Sequence, residues 1–166
     1  LELLASGEVH QPLDRAAAGK RLLEALNARP YRAVAICLLN AYANPAHEQM
    51  LVAIVHELFP DLVVSCSSEI SREFREYERA STTAIDAYLG PTLAGYLEAL
   101  AQACAEAGLP EPLVMRSSGG VATIAEAAAH PAFALLSGPA AGVVGAAITA
   151  SSAGVENAIS LDMGGT

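Results

Sequence analysis

The residues best placed to do chemistry close the chain, in Asp162-Met163-Gly164-Gly165-Thr166. An apolar run from Ala158 into Asp162, followed by two glycines, predicts a strand at 158–162 that reaches a tight turn with positive φ angles. Glycines there let backbone N–H groups approach an anion, and phosphate is the usual anion. Asp162 at the strand tip can hold Mg²⁺ through the ion's waters, and the Thr166 hydroxyl can bond a phosphate oxygen. The same string also fits a plain β-hairpin turn, so spacing alone leaves both readings open.

A second candidate is Ser117-Ser118-Gly119-Gly120, directly after the short apolar run Leu113–Arg116. Open α/β sheets bind ligands at the carboxyl ends of strands. A contact from Ser118, Gly119 or Gly120 to nucleotide or substrate therefore competes with a structural turn. A third is the densely charged stretch Arg72–Arg79. Arg72/Glu76 and Glu76/Arg79 have i+4 and i+3 spacing, which predicts a solvated helix face paired with itself. The functional alternative puts Glu76 or Arg79 at a cleft, where Arg can meet phosphate bidentately. His47 and His56 lack i+4 spacing and read as surface residues; His10 and His130 have no recognisable partner. Cys37, Cys66 and Cys104 are far apart and lack metal-ligand spacing, which predicts reduced thiols in the core of a cytoplasmic protein.

The elements that must position these residues follow from the apolar pattern. Residues 13–27 read as a helix capped by Asp14, and Ala33–Leu39 as a strand buried on both faces, since it is apolar without alternation. Asn44 and Pro45 open a helix over 45–59, with Leu51, Ile54, Val55 and Leu58 on one face. Leu62–Cys66 is a second strand, parallel to the first across a helical crossover. A long helix is expected from Thr82 or Thr83 to about Ala107, with its stripe at Leu89, Leu93, Leu97, Leu100 and Cys104 and a kink or break at Pro91. Short strands at 113–117 and 158–162 flank an Ala-rich helix at 122–129 and a helix of small residues from about Ala140 to Ser151. Glycine inside that last helix costs stability unless close packing recovers it, so Pro139–Ala150 is expected to be largely buried or to make close helix contacts. The fold class is α/β, with mostly parallel strands and covering helices.

Composition narrows the partners. The 166 residues are 53% hydrophobic and 16% charged, against roughly 25% charged in an average soluble domain. The net charge of −9 excludes a basic face for nucleic acid and opposes binding to an anionic membrane surface. No charged side chain occurs between Glu126 and Glu156, but prolines and glycines interrupt the run, so a membrane span is not the reading.

Seven blocks in order resemble the hydantoinase A/5-oxoprolinase family, which includes acetone-carboxylase-type subunits. They are Cys37-Leu-Leu-Asn-Ala-Tyr-Ala-Asn-Pro-Ala-His-Glu48, Ser67-Ser-Glu-Ile70, Arg75-Glu-Tyr-Glu-Arg-Ala-Ser-Thr-Thr83, Asp86-Ala-Tyr-Leu-Gly-Pro91, Met115-Arg-Ser-Ser-Gly-Gly120, Ser137-Gly-Pro-Ala-Ala-Gly-Val-Val-Gly-Ala146 and Leu161-Asp-Met-Gly-Gly-Thr166. Asp86 and Ala80 depart from the family's common Asn and Thr, away from the phosphate turn.

The resemblance implies an actin-like, ribonuclease H-like ATPase fold and an ATP- and Mg²⁺-dependent hydrolase that phosphorylates a carbonyl to open cyclic amides such as hydantoin or 5-oxoproline. It makes residues 1–80 the end of the family's N-terminal domain. Residues 81–166 become the start of the hydantoinase A domain, ending in its second phosphate turn. Asp162 is then the catalytic and metal carboxylate; Gly164, Gly165, Thr166, Ser118, Gly119 and Gly120 bind nucleotide; Glu76 and Arg79 are cleft candidates. It also implies that the first phosphate turn and most of the second lobe lie outside this sequence. The expected partners are the rest of the polypeptide, a hydantoinase B-type subunit and a small-molecule substrate. This chain alone is expected to be inactive and to hold no bound cofactor. A ketone carboxylase subunit, or a nucleotide-gated scaffold module on the same fold, is the alternative.

Overall fold

A computed structural model describes residues 2–164; Gly165 and Thr166 of the expected phosphate turn lie outside the described residues. The chain forms two compact units, the first running to Thr92 and the second starting at Leu93.

The first unit opens with an antiparallel pair, β1 (Glu2–Leu3) and β2 (Val9–Gln11). Helix α1 (Arg15–Asn27) follows, its free first-turn N–H groups met by Asp14, whose carboxylate accepts from Ala17 N at 3.0 Å. Strand β3 (Ala33–Ile36), helix α2 (Ala46–Leu58) and strand β4 (Val63–Cys66) make the expected crossover. The strands are parallel and in register from Ala33 opposite Val63 to Ile36 opposite Cys66. The Asn44 side chain accepts from Ala46 N at 3.0 Å, but the helix starts one residue later than expected: Pro45 holds the N-cap position, without a side-chain cap bond. Ile36, Ile54, Val55, Cys66, Ile70 and Ala87 form the buried apolar centre. Fully burying a Val or Ile side chain is worth about 1.5–3 kcal/mol.

After a single helical turn, α3 (Ser67–Ile70), comes α4 (Glu76–Glu106). It starts six residues before Thr82 because Glu76 and Glu78 occupy its first turn, where carboxylates favour the helix N-terminus. It runs through Pro91 without a break in assignment. Gly90 is where α4 meets β4: a Cβ built there would stand 2.8 Å from Val63 Cγ1.

In the second unit, Leu97, Ile124 and Ala127 are buried, with Leu93, Leu100, Ala101, Val114 and Ala128 packed around them. The stripe at Leu93, Leu97 and Leu100 is thus the core-facing side of the second half of α4. Strand β5 (Val114–Met115) pairs with β6 (Val121–Ala122), and α5 (Ile124–Ala129) is followed by a 3₁₀ turn, Pro131–Ala134, and by α6 (Ser137–Ser152).

Three expectations change here. The third strand does not lead into a helix; β5 and β6 are antiparallel, because positive φ at Gly119 (89°) and Gly120 (78°) turns the chain back on itself. Residues 158–162 form no strand; they pair with no described strand, and Ile159 and Leu161 are exposed. Helix α6 exists, but none of its residues is buried. Nothing lies within 4 Å of a Cβ built at Gly138, Gly142 or Gly145, so no described element uses their small size.

Candidate functional site

In the first unit, polar chemistry collects at the carboxyl ends of β3 and β4. Glu48, Arg79, Asp86 and His47 are all buried there, none more than 3% exposed. Uncompensated, each buried ion costs several kcal/mol. Glu48, in the first turn of α2, is compensated by four donors: Leu38 N–H (2.7 Å) and the Ser67 hydroxyl (2.6 Å) on one carboxylate oxygen, Ser68 N–H (2.8 Å) and the Cys66 thiol (3.3 Å) on the other. Burial pushes its pKa up, but the bonds from Ser67, Leu38 and Ser68 outweigh it and hold the carboxyl below its ordinary value. The Cys66 thiol is pushed up to about 11, first by burial and then by the neighbouring Glu48 carboxylate, which makes it unreactive. No cysteine is in a disulfide.

Glu76 and Arg79 do come together, though not as a solvated face. The Arg79 side chain is wholly buried, and its guanidinium is already engaged. One terminal nitrogen donates to Leu38 O at 2.7 Å and to the Glu76 carboxylate; the other donates to Glu73 O at 3.3 Å. The guanidinium carbon lies 5.7 Å from the centre of the Tyr42 ring. Glu76 also accepts from Asn40 N–H at 3.2 Å. The Arg72/Glu76 pair does not form, because residues 72–75 precede the helix and Arg72 Nε donates to Ser68 O at 3.3 Å instead.

His47 corrects another expectation. It is 3% exposed, with no hydrogen-bond partner on Nδ1. Glu48 and Asp86 were not singled out from the sequence. Their signals were an acid in the first turn of a helix that follows a buried strand, and an Arg79, Thr83, Asp86, Gly90 spacing that puts all four on one face of α4. Asp86 accepts from the Ser65 hydroxyl at 2.7 Å, which ties that face to β4.

In the second unit, Ser117–Gly120 forms the hairpin turn between β5 and β6. Arg116 N–H bonds Gly120 O and Gly119 N–H bonds Arg116 O, both at 3.0 Å. Ser117 is committed to Phe133 O through its N–H (2.8 Å) and hydroxyl (3.1 Å). No atom lies within 4 Å of a Cβ built at Gly119 or Gly120, which leaves open space over that backbone. Asp162 and Gly164 lie in an exposed, irregular segment, and no group of three His, Cys, Asp or Glu residues suited to a metal occurs among the described residues.

The chain matches the family described as Hydantoinase/oxoprolinase over residues 79–166 and its N-terminal region over residues 2–59. It is 33% identical to caprolactamase subunit alpha of Pseudomonas jessenii over 99% of its own length, and 35% identical to 5-oxoprolinase 1 of Arabidopsis thaliana over 89%. The crystal structure of the ATP-dependent caprolactamase from Pseudomonas jessenii superposes on 99% of the chain with a TM-score of 0.82. Nucleotide-free acetone carboxylase, at 25% identity, covers 92% with a TM-score of 0.76. The chain spans about a quarter of the caprolactamase subunit, 24%, and 12% of the oxoprolinase. The fold is α/β of the actin-like ATPase type, as expected from the resemblance. With both family segments found in order along it, this chain belongs to the hydantoinase/oxoprolinase family.

Proposed function

We propose that the protein is an ATP-dependent hydrolase of cyclic amides, of the hydantoin or 5-oxoproline type. The observation that carries this reading is the superposition of nearly the whole chain on an ATP-dependent caprolactamase. Residues 1–80 then close the N-terminal domain and 81–166 open the hydantoinase A domain, a division supported by family matches at 2–59 and 79–166.

ATP supplies the phosphoryl group for the amide carbonyl oxygen. Water then adds to the activated carbon, and the ring C–N bond breaks with the nitrogen leaving as the protonated amine. A second water attacks the acyl carbon of the resulting acyl phosphate, so that phosphate leaves with the original carbonyl oxygen. The chain's own part is positioning and charge neutralisation, which carry most of phosphoryl-transfer catalysis. Ser118, Gly119 and Gly120 suit phosphate because the turn carries two positive-φ glycines beneath open space. Asp162 suits Mg²⁺, an ion that keeps most of its waters and asks for only one or two carboxylates. Gly164, Gly165 and Thr166 complete that phosphate turn in this reading. Arg79 and Glu76 are the remaining cleft candidates; the two terminal nitrogens of Arg79 are engaged by Leu38, Glu73 and Glu76, while its buried Nε has no partner.

A B-type subunit is the proposed partner, supported by a relative that is itself named a subunit. Placement in the cytoplasm is supported by three unpaired thiols; no described helix is long and apolar enough to cross a membrane. A ketone carboxylase subunit is the second reading, favoured by the acetone carboxylase superposition. The full-length protein, incubated with ATP and Mg²⁺, is expected to convert 5-oxoproline, hydantoin or caprolactam to the ring-opened acid. A carboxylated product from acetone and bicarbonate, with no ring opening, selects the carboxylase instead.

A further inference from the structure

We propose that Arg116 is a direct ligand of a nucleotide phosphate group, its guanidinium acting together with the backbone of the Ser118–Gly120 turn. The proposal rests on the reading of that turn as a phosphate cradle and adds the positive charge that a backbone cradle lacks. Every residue it uses belongs to the second unit.

Arg116 is the only Lys or Arg between Leu93 and Thr166, a stretch that holds six Asp and Glu residues. A turn in so acidic a unit repels phosphate unless a cation stands beside it, and one residue is available for that role. Arg116 occupies the first position of the turn itself. Its carbonyl accepts from Gly119 N–H and its N–H donates to Gly120 O, both at 3.0 Å, so its backbone is fixed to the two positive-φ glycines. Ser117 anchors the next position, with its N–H and hydroxyl both bonded to Phe133 O.

The donors at this turn are not committed elsewhere. Among the described residues, the guanidinium of Arg116 makes one ion pair, with Glu126 at 3.9 Å, which is beyond hydrogen-bonding distance. Glu126 has its own task at the start of α5, where one carboxylate oxygen accepts from Thr123 N–H at 2.9 Å and from the Thr123 hydroxyl at 3.0 Å. Those bonds, with a smaller contribution from Arg116, hold the Glu126 carboxyl below its ordinary value, so it stays ionised and attracts the guanidinium without occupying its N–H groups. Arg79 differs, since both its terminal nitrogens bond to protein groups. The Ser118 and Gly120 N–H groups also make no hydrogen bond to a described residue. Two open backbone donors and an open guanidinium fork, all within five consecutive residues, are the donor set that phosphate oxygens need.

The test titrates ATP and Mg²⁺ into the full-length protein and its Arg116→Ala and Arg116→Lys variants by calorimetry, with no co-substrate present. Melting temperatures without nucleotide and KM for 5-oxoproline are measured alongside. Arg116→Ala is expected to weaken ATP binding about 10–100-fold, the scale of losing a hydrogen bond to a charged group. Arg116→Lys should recover part of that loss, because it keeps the charge but not the planar fork. Both variants should melt with the wild type, since the side chain is 40% exposed and bonds to no described residue, and both should keep its KM for 5-oxoproline. Unchanged ATP affinity in Arg116→Ala overturns the proposal, and a raised KM for 5-oxoproline in the same variant would assign Arg116 to the substrate carboxylate. A melting temperature lowered by several degrees together with the lost affinity overturns it in favour of a structural role. A wild-type protein that fails to bind ATP overturns both the proposal and the reading beneath it. Turnover of acetone in place of a cyclic amide defeats the hydrolase reading alone, because the ATP titration judges Arg116 without either.

Discussion

Glu48 carries more of the first unit's polar structure than any residue singled out from the sequence. Its replacement by Ala strands four donors, two of them backbone N–H groups. Each buried unsatisfied donor costs about 1–3 kcal/mol, so Glu48→Ala is expected to destabilise the protein by at least about 3 kcal/mol in chemical denaturation. The carboxyl titrates lower in the folded protein than in the unfolded chain. Its contribution is therefore complete above the unfolded pKa of about 4.3 and fades as pH falls through the folded value. Glu48→Gln should flatten that acid limb of the stability profile; an unchanged limb in urea titrations from neutral pH to pH 3 would assign it to other carboxylates. At the second candidate, Asp162→Asn removes the charge proposed to face Mg²⁺ but keeps the side chain's size. Turnover of the full-length enzyme is expected to fall at least ~10²-fold, the scale of losing one preorganised electrostatic group. A rate within a few-fold of normal reduces Asp162 to part of a turn.

Helix α4 shows how packing at a single position decides the sign of a substitution. Gly90→Ala puts a methyl group 2.8 Å from Val63 Cγ1, and overpacking of that kind costs about 1–3 kcal/mol. Gly95, in the same helix, has nothing within 4 Å of its Cβ position, so Gly95→Ala should gain up to about 1 kcal/mol of helix propensity. Opposite shifts in melting temperature are expected from the two variants. The parallel β3–β4 pair was legible because two short apolar runs flank an amphipathic helix, the pattern of a crossover; the cover on both faces expected of the first run is not found, since Ala35 is exposed and β3 ends at Ile36. The first half of α4 was not. Its buried face is Arg79, Thr83, Asp86, Ala87 and Gly90, polar or with little or no side chain, so no hydrophobic period announces it, and the charges near its start read as a solvated surface. The β5–β6 hairpin was missed because a strand ending in Ser-Ser-Gly-Gly is compatible with a turn in either direction until its partner strand is known. Small residues in α6 predicted close packing, yet among the described residues nothing lies within 4 Å of a Cβ built at Gly138, Gly142 or Gly145. Composition says what a helix permits and leaves open whether a neighbour uses it.

For the whole molecule, the chain covers about a quarter of the caprolactamase subunit that it resembles throughout its own length. Phosphoryl transfer needs several elements aimed at one phosphate, and of these the proposed reading finds in this chain only the Ser118–Gly120 turn, with Arg116 at its start, and Asp162, which is exposed and has no described partner strand. The isolated 166-residue chain is therefore expected to show no ATP hydrolysis above the no-protein rate, and measurable turnover by it would mean that these residues suffice. The proposed reaction depends most on the carbonyl oxygen being the phosphoryl acceptor. The most direct test is to supply the full-length enzyme with ATP and a cyclic amide labelled with ¹⁸O at the carbonyl, then to weigh the released phosphate. Phosphorylation at that oxygen predicts one ¹⁸O in inorganic phosphate for each ring opened, whereas ring opening that releases only unlabelled phosphate would contradict it.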